Sequence, residues 1–299
     1  MMNKIILWGT GRVFSAHLRR IQYGCRYGEF EVLGVTSNDD WYQELDGFPF
    51  IPKAELVKHP CDYILVANRG HLDEIREEYV ALGGERAKVL SIDVLDIPRF
   101  TFDQYIELYR SKISIISNNC WGGVTYHALH LPFESPFINM FETDEEYLEL
   151  LRDFEYKIRC PLEYVKDEYN EVEKITYPVF SLDGTLLHMN HYPDRKQAER
   201  KWKERLQRLN PENLFFMMYT ESKDAAKEFE RLPYEKKVCF TSFPSSLPSA
   251  MYVRPWRACN KAKGTPFWDT ILGMADGRYP FYDAYELLMH GAKVYRVRS

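Results

Sequence analysis

Apolar runs alternate with amphipathic stretches from Lys4 to Ile92. Each run is bounded by glycine, proline or polar residues, which is typical of a buried strand. Buried strands are predicted at residues 4–9, 31–37, 61–67 and 88–92. Between them, apolar positions three and four residues apart predict helices at 12–23 and 71–82. Strands that alternate with helices form parallel sheets, so this half is predicted to be a Rossmann-like domain.

A second alternation of strands and helices follows Pro98. Strands are predicted at residues 113–116, 136–142, 214–219, 237–241 and 293–297. Helices are predicted at residues 102–109, 124–129, 144–158, 194–209, 224–231 and 282–289. Asp183-Gly184 lies between two apolar stretches, which predicts a β-hairpin. Residues 163–177 are charged and show no clear period.

These patterns predict an α/β fold made of two Rossmann-like three-layer domains with mainly parallel sheets. We place the N-terminal domain at residues 1–105 and the second domain at residues 106–299. Thr143, followed three residues later by Glu146, predicts a capping box at the start of one long helix of the second domain.

Composition and charge narrow the function classes. Of the 299 residues, 45% are hydrophobic and 28% are charged, which is ordinary for a globular protein. The net charge of −5 gives no overall attraction to nucleic acid or to an anionic membrane. The first apolar run is too short for a signal peptide, and no stretch is long enough to span a membrane. Six scattered cysteines are expected to be free thiols. We therefore expect a cytoplasmic protein with a small-molecule substrate; its oligomeric state stays open.

Gly9 and Gly11 follow the first predicted strand and open a helix, as in a dinucleotide-binding turn. The third glycine position of that motif falls on Phe14, whose ring we expect to prevent tight dinucleotide binding. The acidic residue that would bind a ribose is displaced to Asp39 or Asp40. Gly9 and Gly11 are candidate phosphate-binding residues. The incomplete motif nevertheless favours a scaffold that binds no cofactor, and the sequence does not identify a cofactor for this protein.

The segment 112–129 is the candidate functional centre of the sequence. A buried strand ends in a polar turn, two glycines follow, and a helix begins. Unpaired N–H groups at a helix start attract anions, so this arrangement predicts an anion site. The candidate ligand-binding residues are Ser117, Asn118, Asn119, Trp121, Gly122 and Gly123.

Cys120 is the candidate nucleophile, because a thiol at a helix N-terminus is expected to have a lowered pKa. It needs a base, and His127 is our candidate catalytic partner, although it lies seven residues further along the same helix. His130, His188 and His191 are the other imidazoles considered. The alternative is that Cys120 is a small buried packing residue. No metal site is predicted.

Three blocks resemble a known bacterial family. They are ISNNCWGG at 116–123, SPFINMF at 135–141, and the segment KWKERLQRLNPENLFFMMYTES with ERLPYEKKVCFTSFP between 201 and 244. Together they look like a family usually labelled exopolysaccharide biosynthesis protein. The resemblance implies a cytoplasmic protein that acts on, or alongside, activated sugars or their acyl or phosphoryl donors.

Two functions of different classes follow. The first is a transferase or hydrolase that modifies an activated sugar or glycan precursor in exopolysaccharide biosynthesis. The second is a non-catalytic protein that binds a nucleotide or nucleotide sugar. The isolated cysteine favours the second, whereas the polar turn favours a site of some kind.

Overall fold

The computed structural model describes residues 2–38, 43–171, 173–253, 266–279 and 281–298. The chain forms two compact units, Met1–Asp103 and Gln104–Ser299. No helix within the described residues is long and apolar enough to cross a membrane.

The first unit is built on a parallel sheet. Its elements are β1 (Asn3–Trp8), α1 (Arg12–Arg26), β2 (Phe30–Thr36), β3 (Glu44–Leu45), β4 (Phe48–Pro49), β5 (Tyr63–Val66), α2 (Leu72–Ala81), β6 (Val89–Ser91) and the start of α3 (Phe102–Ser111). The sheet order is β2-β1-β5-β6, all parallel, and β3 and β4 form a small antiparallel pair. The predicted strands and helices of this half are confirmed, because both faces of β1 are buried and α1 has one apolar face.

The second unit contains a parallel sheet and an antiparallel one. Its elements are β7 (Ser114–Ser117), α4 (Trp121–Ala128), α5 (Asp144–Arg152), α6 (Phe154–Lys157), β8 (Leu162–Asn170), β9 (Ile175–Leu182), β10 (Thr185–His188), α7 (Arg195–Leu206), β11 (Leu214–Thr220), α8 (Lys223–Arg231), β12 (Lys237–Thr241), β13 (Ala250–Tyr252), α9 (Pro266–Ala275) and α10 (Ala284–Arg298). The parallel sheet has the order β13-β12-β11-β7, and the antiparallel sheet has the order β10-β9-β8. The fold is therefore mixed α/β, with parallel and antiparallel sheets.

The antiparallel sheet contains one predicted and one unpredicted strand pairing. The hairpin at Asp183-Gly184 is confirmed, and both residues have the positive φ that such a turn requires, 46° and 86°. β8 was not predicted, because most of its side chains are exposed or half-buried and leave no apolar alternation in the sequence.

Two predicted strands are wrong. Residues 136–142 form an irregular segment, joined to β10 only through a bridge between Phe141 and His188 in the described structure. Residues 293–297 are helical, because α10 bends at Gly291 (φ 73°) and then continues. The long helix predicted at 144–158 is also interrupted, and Asp153 separates α5 from α6.

β7 is the edge strand of the second parallel sheet, and Tyr126 of α4 satisfies its outer backbone groups. The Tyr126 hydroxyl donates to the Ile113 carbonyl (2.7 Å) and accepts from the Ile115 N–H (2.9 Å). Since an edge strand otherwise leaves such groups unpaired, this contact fixes β7 against α4. The residues that follow β7 are consequently held in place.

Candidate functional site

A cavity of 1240 Å³ opens where β7 and β11 end at their carboxyl edge. Open parallel sheets bind ligands at this edge, because the loops that leave neighbouring strands meet there. The cavity wall includes Asn118, Asn119 and Cys120 from the loop after β7, and Tyr219 to Ser222 from the end of β11. The irregular segment before α5 supplies further wall residues.

Asn118 joins the two strands that carry the cavity. Its side-chain amide donates to the Tyr219 carbonyl (3.0 Å), and its side-chain oxygen accepts from the Tyr219 N–H (3.0 Å). The same oxygen accepts from the Asn119 side-chain amide (3.0 Å). These bonds connect residues 101 positions apart, so Asn118 is a scaffold residue as well as a wall residue.

The start of α4 does not present the free N–H groups expected of an anion site. The Trp121 N–H donates to the Asn119 side-chain oxygen (2.9 Å), and the Gly122 N–H donates to the Ser117 hydroxyl (3.2 Å). Ser117 is fully buried. Two of the groups that would bind an anion are therefore already used within the protein.

Four of the predicted ligand-binding residues do not line the cavity: Ser117, Trp121, Gly122 and Gly123. Trp121 is fully buried, packs against aromatic rings of the core and donates to the Tyr282 hydroxyl (3.0 Å). The predicted glycine turn is also wrong, because Gly122 and Gly123 lie within α4. A Cβ atom on Gly122 would lie 2.7 Å from the Ser117 oxygen, so this glycine permits close helix–strand packing.

Cys120 lines the cavity at the N-cap position of α4, but its pKa changes in the direction opposite to our expectation. Burial, with smaller contributions from Glu142 and Glu173, raises the pKa of the Cys120 thiol to about 12. The predicted lowering is wrong because desolvation outweighs the effect of a helix of only eight residues. His127 is exposed in the last turn of α4 and does not line the cavity.

Glu142 is a candidate site residue that sequence reasoning missed. It lines the cavity, yet its side chain is buried, with 4% of the residue exposed. Its N–H donates to the Asn118 carbonyl (3.2 Å), whereas neither carboxyl oxygen has a hydrogen-bond partner in the described structure. Burial and then the charge of Glu146 raise the pKa of Glu142 well above its usual range. The sequence did contain a signal that could have identified Glu142, because this acid directly follows the mainly apolar run PFINMF at residues 136–141.

Glu146 is fixed behind Glu142 by three contacts. The predicted capping box is confirmed: the Thr143 N–H donates to Glu146 (2.9 Å) and the Glu146 N–H donates to the Thr143 hydroxyl (3.3 Å). His188 Nε2 lies 3.2 Å from the other Glu146 oxygen, and a carboxylate only accepts, so this nitrogen carries the proton. The carboxylate of Glu146 is thereby held close to Glu142.

The described cavity wall is rich in amides and carboxyl groups and contains no lysine or arginine. The amides belong to Asn118, Asn119, Asn139, Asn170 and Asn190. The carboxyl groups belong to Glu142, Asp144, Glu173 and Glu221. Phe141 and Tyr219 supply aromatic surface. Four acids without a cationic residue disfavour a phosphate group, so the charge of the wall opposes the predicted anion site.

The first unit has a crevice of 610 Å³ at the carboxyl ends of β1 and β5, and Gly9 and Gly11 both line it. Gly9 has a positive φ of 114°, and a Cβ atom there would lie 3.2 Å from the Ala67 carbonyl oxygen. Phe14 is buried and does not line the crevice, and its expected effect on dinucleotide binding stays a prediction. Asp39 and Asp40 lie outside the described residues.

His17, Asp93 and Asp96 of the first unit bring together three groups that are able to bind a metal ion. His17 Nε2 lies 3.1 Å from Asp96 and 3.6 Å from Asp93. Arg69 already binds the Asp93 carboxylate with two nitrogens, the shortest contact being 2.7 Å. Because this cation neutralises Asp93, the cluster is accounted for as an ion-pair network.

Comparison with known proteins identifies the family. A family model described as Domain of unknown function (DUF1919) matches residues 92–269. The chain belongs to this family. The DUF1919 region contains every described wall residue of the large cavity except Leu272. A second model, described as C2185-like, N-terminal, matches residues 1–90. An uncharacterized protein of Haemophilus influenzae is 32% identical over 159 residues, which is 52% of this chain and 74% of that protein.

Proposed function

We propose that this DUF1919 protein binds a sugar unit of an exopolysaccharide precursor in the 1240 Å³ cavity and modifies it as a transferase or hydrolase. The composition of the cavity wall carries the proposal. Amides and carboxyl groups supply the donors and acceptors that sugar hydroxyls need, and an aromatic ring gives an apolar face to stack on. The resemblance of the ISNNCWGG segment and the later blocks to exopolysaccharide proteins supports the same substrate class.

The charge of the cavity wall restricts which kinds of sugar unit can bind in the cavity. Among the described wall residues, the acids outnumber the single histidine, and burial raises the pKa of Glu142 and Asp144 above their usual ranges. An anionic group would be repelled by the remaining carboxylates. The sugar unit that fits is therefore uncharged or carries an amine, and any phosphate of the donor lies outside this part of the wall.

The experiment is calorimetric titration with glucose, galactose, N-acetylglucosamine and glucosamine. Asn190 is the residue to change, because it lines the cavity and its side-chain oxygen has no partner in the described structure. Asn190→Ala should weaken binding by roughly tenfold, the value of about one hydrogen bond. Asn38→Ala, in the first-unit crevice, is the matched control and should leave sugar binding unchanged. Absence of sugar binding, or equal loss in both variants, would contradict the proposal.

The second candidate function is non-catalytic binding of a nucleotide or nucleotide sugar by a Rossmann-like first unit. The 610 Å³ crevice favours this function because of its place in the sheet. The strand β1 has β2 on one side and β5 on the other, and the crevice lies at this point, where open parallel sheets bind ligands. Titration with uridine, thymidine and adenine nucleotides discriminates the two functions. In this case Asn38→Ala weakens binding and Asn190→Ala does not.

A further inference from the structure

We propose that Glu142 is the general acid of the cavity and gives its proton to the bridging oxygen of a glycosidic bond as that bond breaks. The inference rests on the proposed function, because it requires a sugar in the cavity. It goes further by naming the bond that is broken and the residue that supplies the proton.

The placement of the Glu142 carboxyl group is the first argument. Its two oxygens are buried and have no hydrogen-bond partner among the described residues, although the residue lines the cavity. A buried polar group without a partner destabilises a fold, and native proteins contain few of them. A structural role would be filled better by an apolar side chain, which argues that the acid is there for a ligand.

The surroundings of Glu142 favour its protonated form. Among the described residues, the titratable groups whose pKa is coupled electrostatically to Glu142 are the Glu146 carboxylate and the Tyr147 hydroxyl on α5 and the Cys120 thiol at the start of α4. None of these is a cation, and Glu146 is held in position by its capping box and by His188. A carboxyl group in such an environment remains neutral at the pH where an ordinary glutamate is ionised, which is the state a proton donor needs.

The reaction step balances without a cofactor. The carboxyl proton moves to the bridging oxygen, the bond between that oxygen and the anomeric carbon breaks, and the leaving group departs as a neutral alcohol. Water, or a hydroxyl group of an acceptor sugar, then attacks the anomeric carbon. Its proton returns to the Glu142 carboxylate, so the residue ends in its starting state. With water the reaction is hydrolysis, and with an acceptor it is transfer.

Leaving groups of different quality provide the test. A 4-nitrophenyl group leaves readily as an anion and does not need a proton, whereas a methoxide group leaves only when protonated. Wild-type protein should cleave both 4-nitrophenyl and methyl glycosides of the sugar that binds. Glu142→Gln should lose at least about 100-fold in kcat on the methyl glycoside, keep kcat on the 4-nitrophenyl glycoside within about tenfold, and leave KM unchanged. Glutamine has the shape of the neutral acid, so the variant is expected to fold.

Glu163→Gln is the matched control, because it removes an exposed acid of the same unit that does not line the cavity, and it should leave both rates unchanged. Glu146→Gln tests the positioning carboxylate. It removes a negative charge that holds the proton on Glu142, so the alkaline limit of the rate should move to lower pH.

The outcomes separate the two proposals. Sugar binding by calorimetry together with no cleavage of either glycoside overturns the inference and leaves the proposed binding intact. Equal losses of Glu142→Gln on both glycosides, or no loss on either, also overturn it. Absence of sugar binding overturns the proposed function and the inference with it.

Discussion

At the residue scale, Glu142 and Cys120 share one wall of the cavity and one electrostatic environment. Burial is the largest cause of the raised pKa of both groups. The interaction with Glu142 raises the pKa of Cys120 further. Ionising either group would place a charge where the described wall offers no cation. Burial therefore favours the neutral form of both the carboxyl and the thiol, and of the two only the carboxyl is a useful acid.

Glu142 should make the free energy of unfolding depend on pH. Its pKa is raised in the folded protein, so the folded state binds more protons than the unfolded state above about pH 4.3, the ordinary value for glutamate. Stability is then fully present below that pH and falls as pH rises toward the folded pKa, by at most about 1.4 kcal/mol per unit. Urea denaturation from pH 5 to pH 8 should show this slope in wild type and a smaller slope in Glu142→Gln, in which only other groups of raised pKa, such as Asp144, remain. Parallel curves would contradict the prediction.

Cys120 should react slowly with iodoacetamide. A thiol whose pKa is about 12 has almost no thiolate at pH 7, and the thiolate is the form that reacts. We expect labelling at least about 100-fold slower than that of glutathione, followed by mass spectrometry with Cys120→Ser to identify the peptide. Labelling faster than glutathione would restore Cys120 as the candidate nucleophile.

At the element scale, the position of the cavity depends on how α4 packs on β7. Gly122 lies against β7, where a Cβ atom would be 2.7 Å from Ser117 Oγ and 3.0 Å from Ile115 Cγ2. The same atom on Gly123 would be 3.3 Å from Ile138 Cγ2. The two neighbouring glycines therefore differ in how much space surrounds them.

Gly122→Ala should destabilise the protein by about 1–3 kcal/mol, because the added methyl group displaces Ser117 and opens the contact between helix and strand. Gly123→Ala is the matched control. Its contact is milder and alanine favours helix by about 1 kcal/mol, so little change is expected. Denaturant midpoints of the two variants measure the difference, and equal midpoints would show that close packing at Gly122 is unimportant.

Lys237 lies on the neighbouring strand β12 and caps the C-terminal end of α8. Its ammonium group donates to three carbonyl oxygens at the end of that helix, those of Phe229 (3.0 Å), Glu230 (2.7 Å) and Leu232 (2.6 Å). Lys237→Met should cost about 3 kcal/mol, because buried carbonyls lose a charged donor. Lys227→Met, on the exposed face of α8, should change stability by less than about 0.5 kcal/mol. Thermal unfolding of both variants is the measurement, and similar melting temperatures would contradict this role.

At the scale of the whole molecule, the chain divides within α3 between residues 103 and 104. Phe102, at the start of that helix, belongs to the core of the first unit. Its ring stacks on Tyr63 with a centroid distance of 4.9 Å and meets the edge of Phe30 at 6.0 Å. The first unit therefore needs the first turn of α3 to complete its core.

A fragment of residues 1–111 should consequently unfold cooperatively by itself when followed by circular dichroism. A fragment of residues 1–101 lacks Phe102 and should be less stable by about 3–5 kcal/mol, the range for losing a buried phenylalanine. Unfolded behaviour of the longer fragment, or equal stability of the two, would show that the first unit is held together in another way.

Local patterns in the sequence determined most of the elements. The alternation of apolar runs with amphipathic stretches gave the strands and helices of the first unit, and Asp183-Gly184 gave the hairpin. The capping box of Thr143 and Glu146 could also be predicted from the sequence. These features depend on residues close together in the chain, so their physical causes act before any tertiary contact is made.

Tertiary structure decided the composition of the cavity and the state of its titratable groups. Asn118 meets Tyr219, 101 positions away, and this contact sets the wall in which Glu142 lies. The motif at 117–123 was found from the sequence, but its roles were not: Ser117 and Asn119 cap α4, and burial raises the pKa of Cys120. Desolvation depends on every group that surrounds a side chain. Those groups come from distant parts of the chain, so no local pattern reveals them.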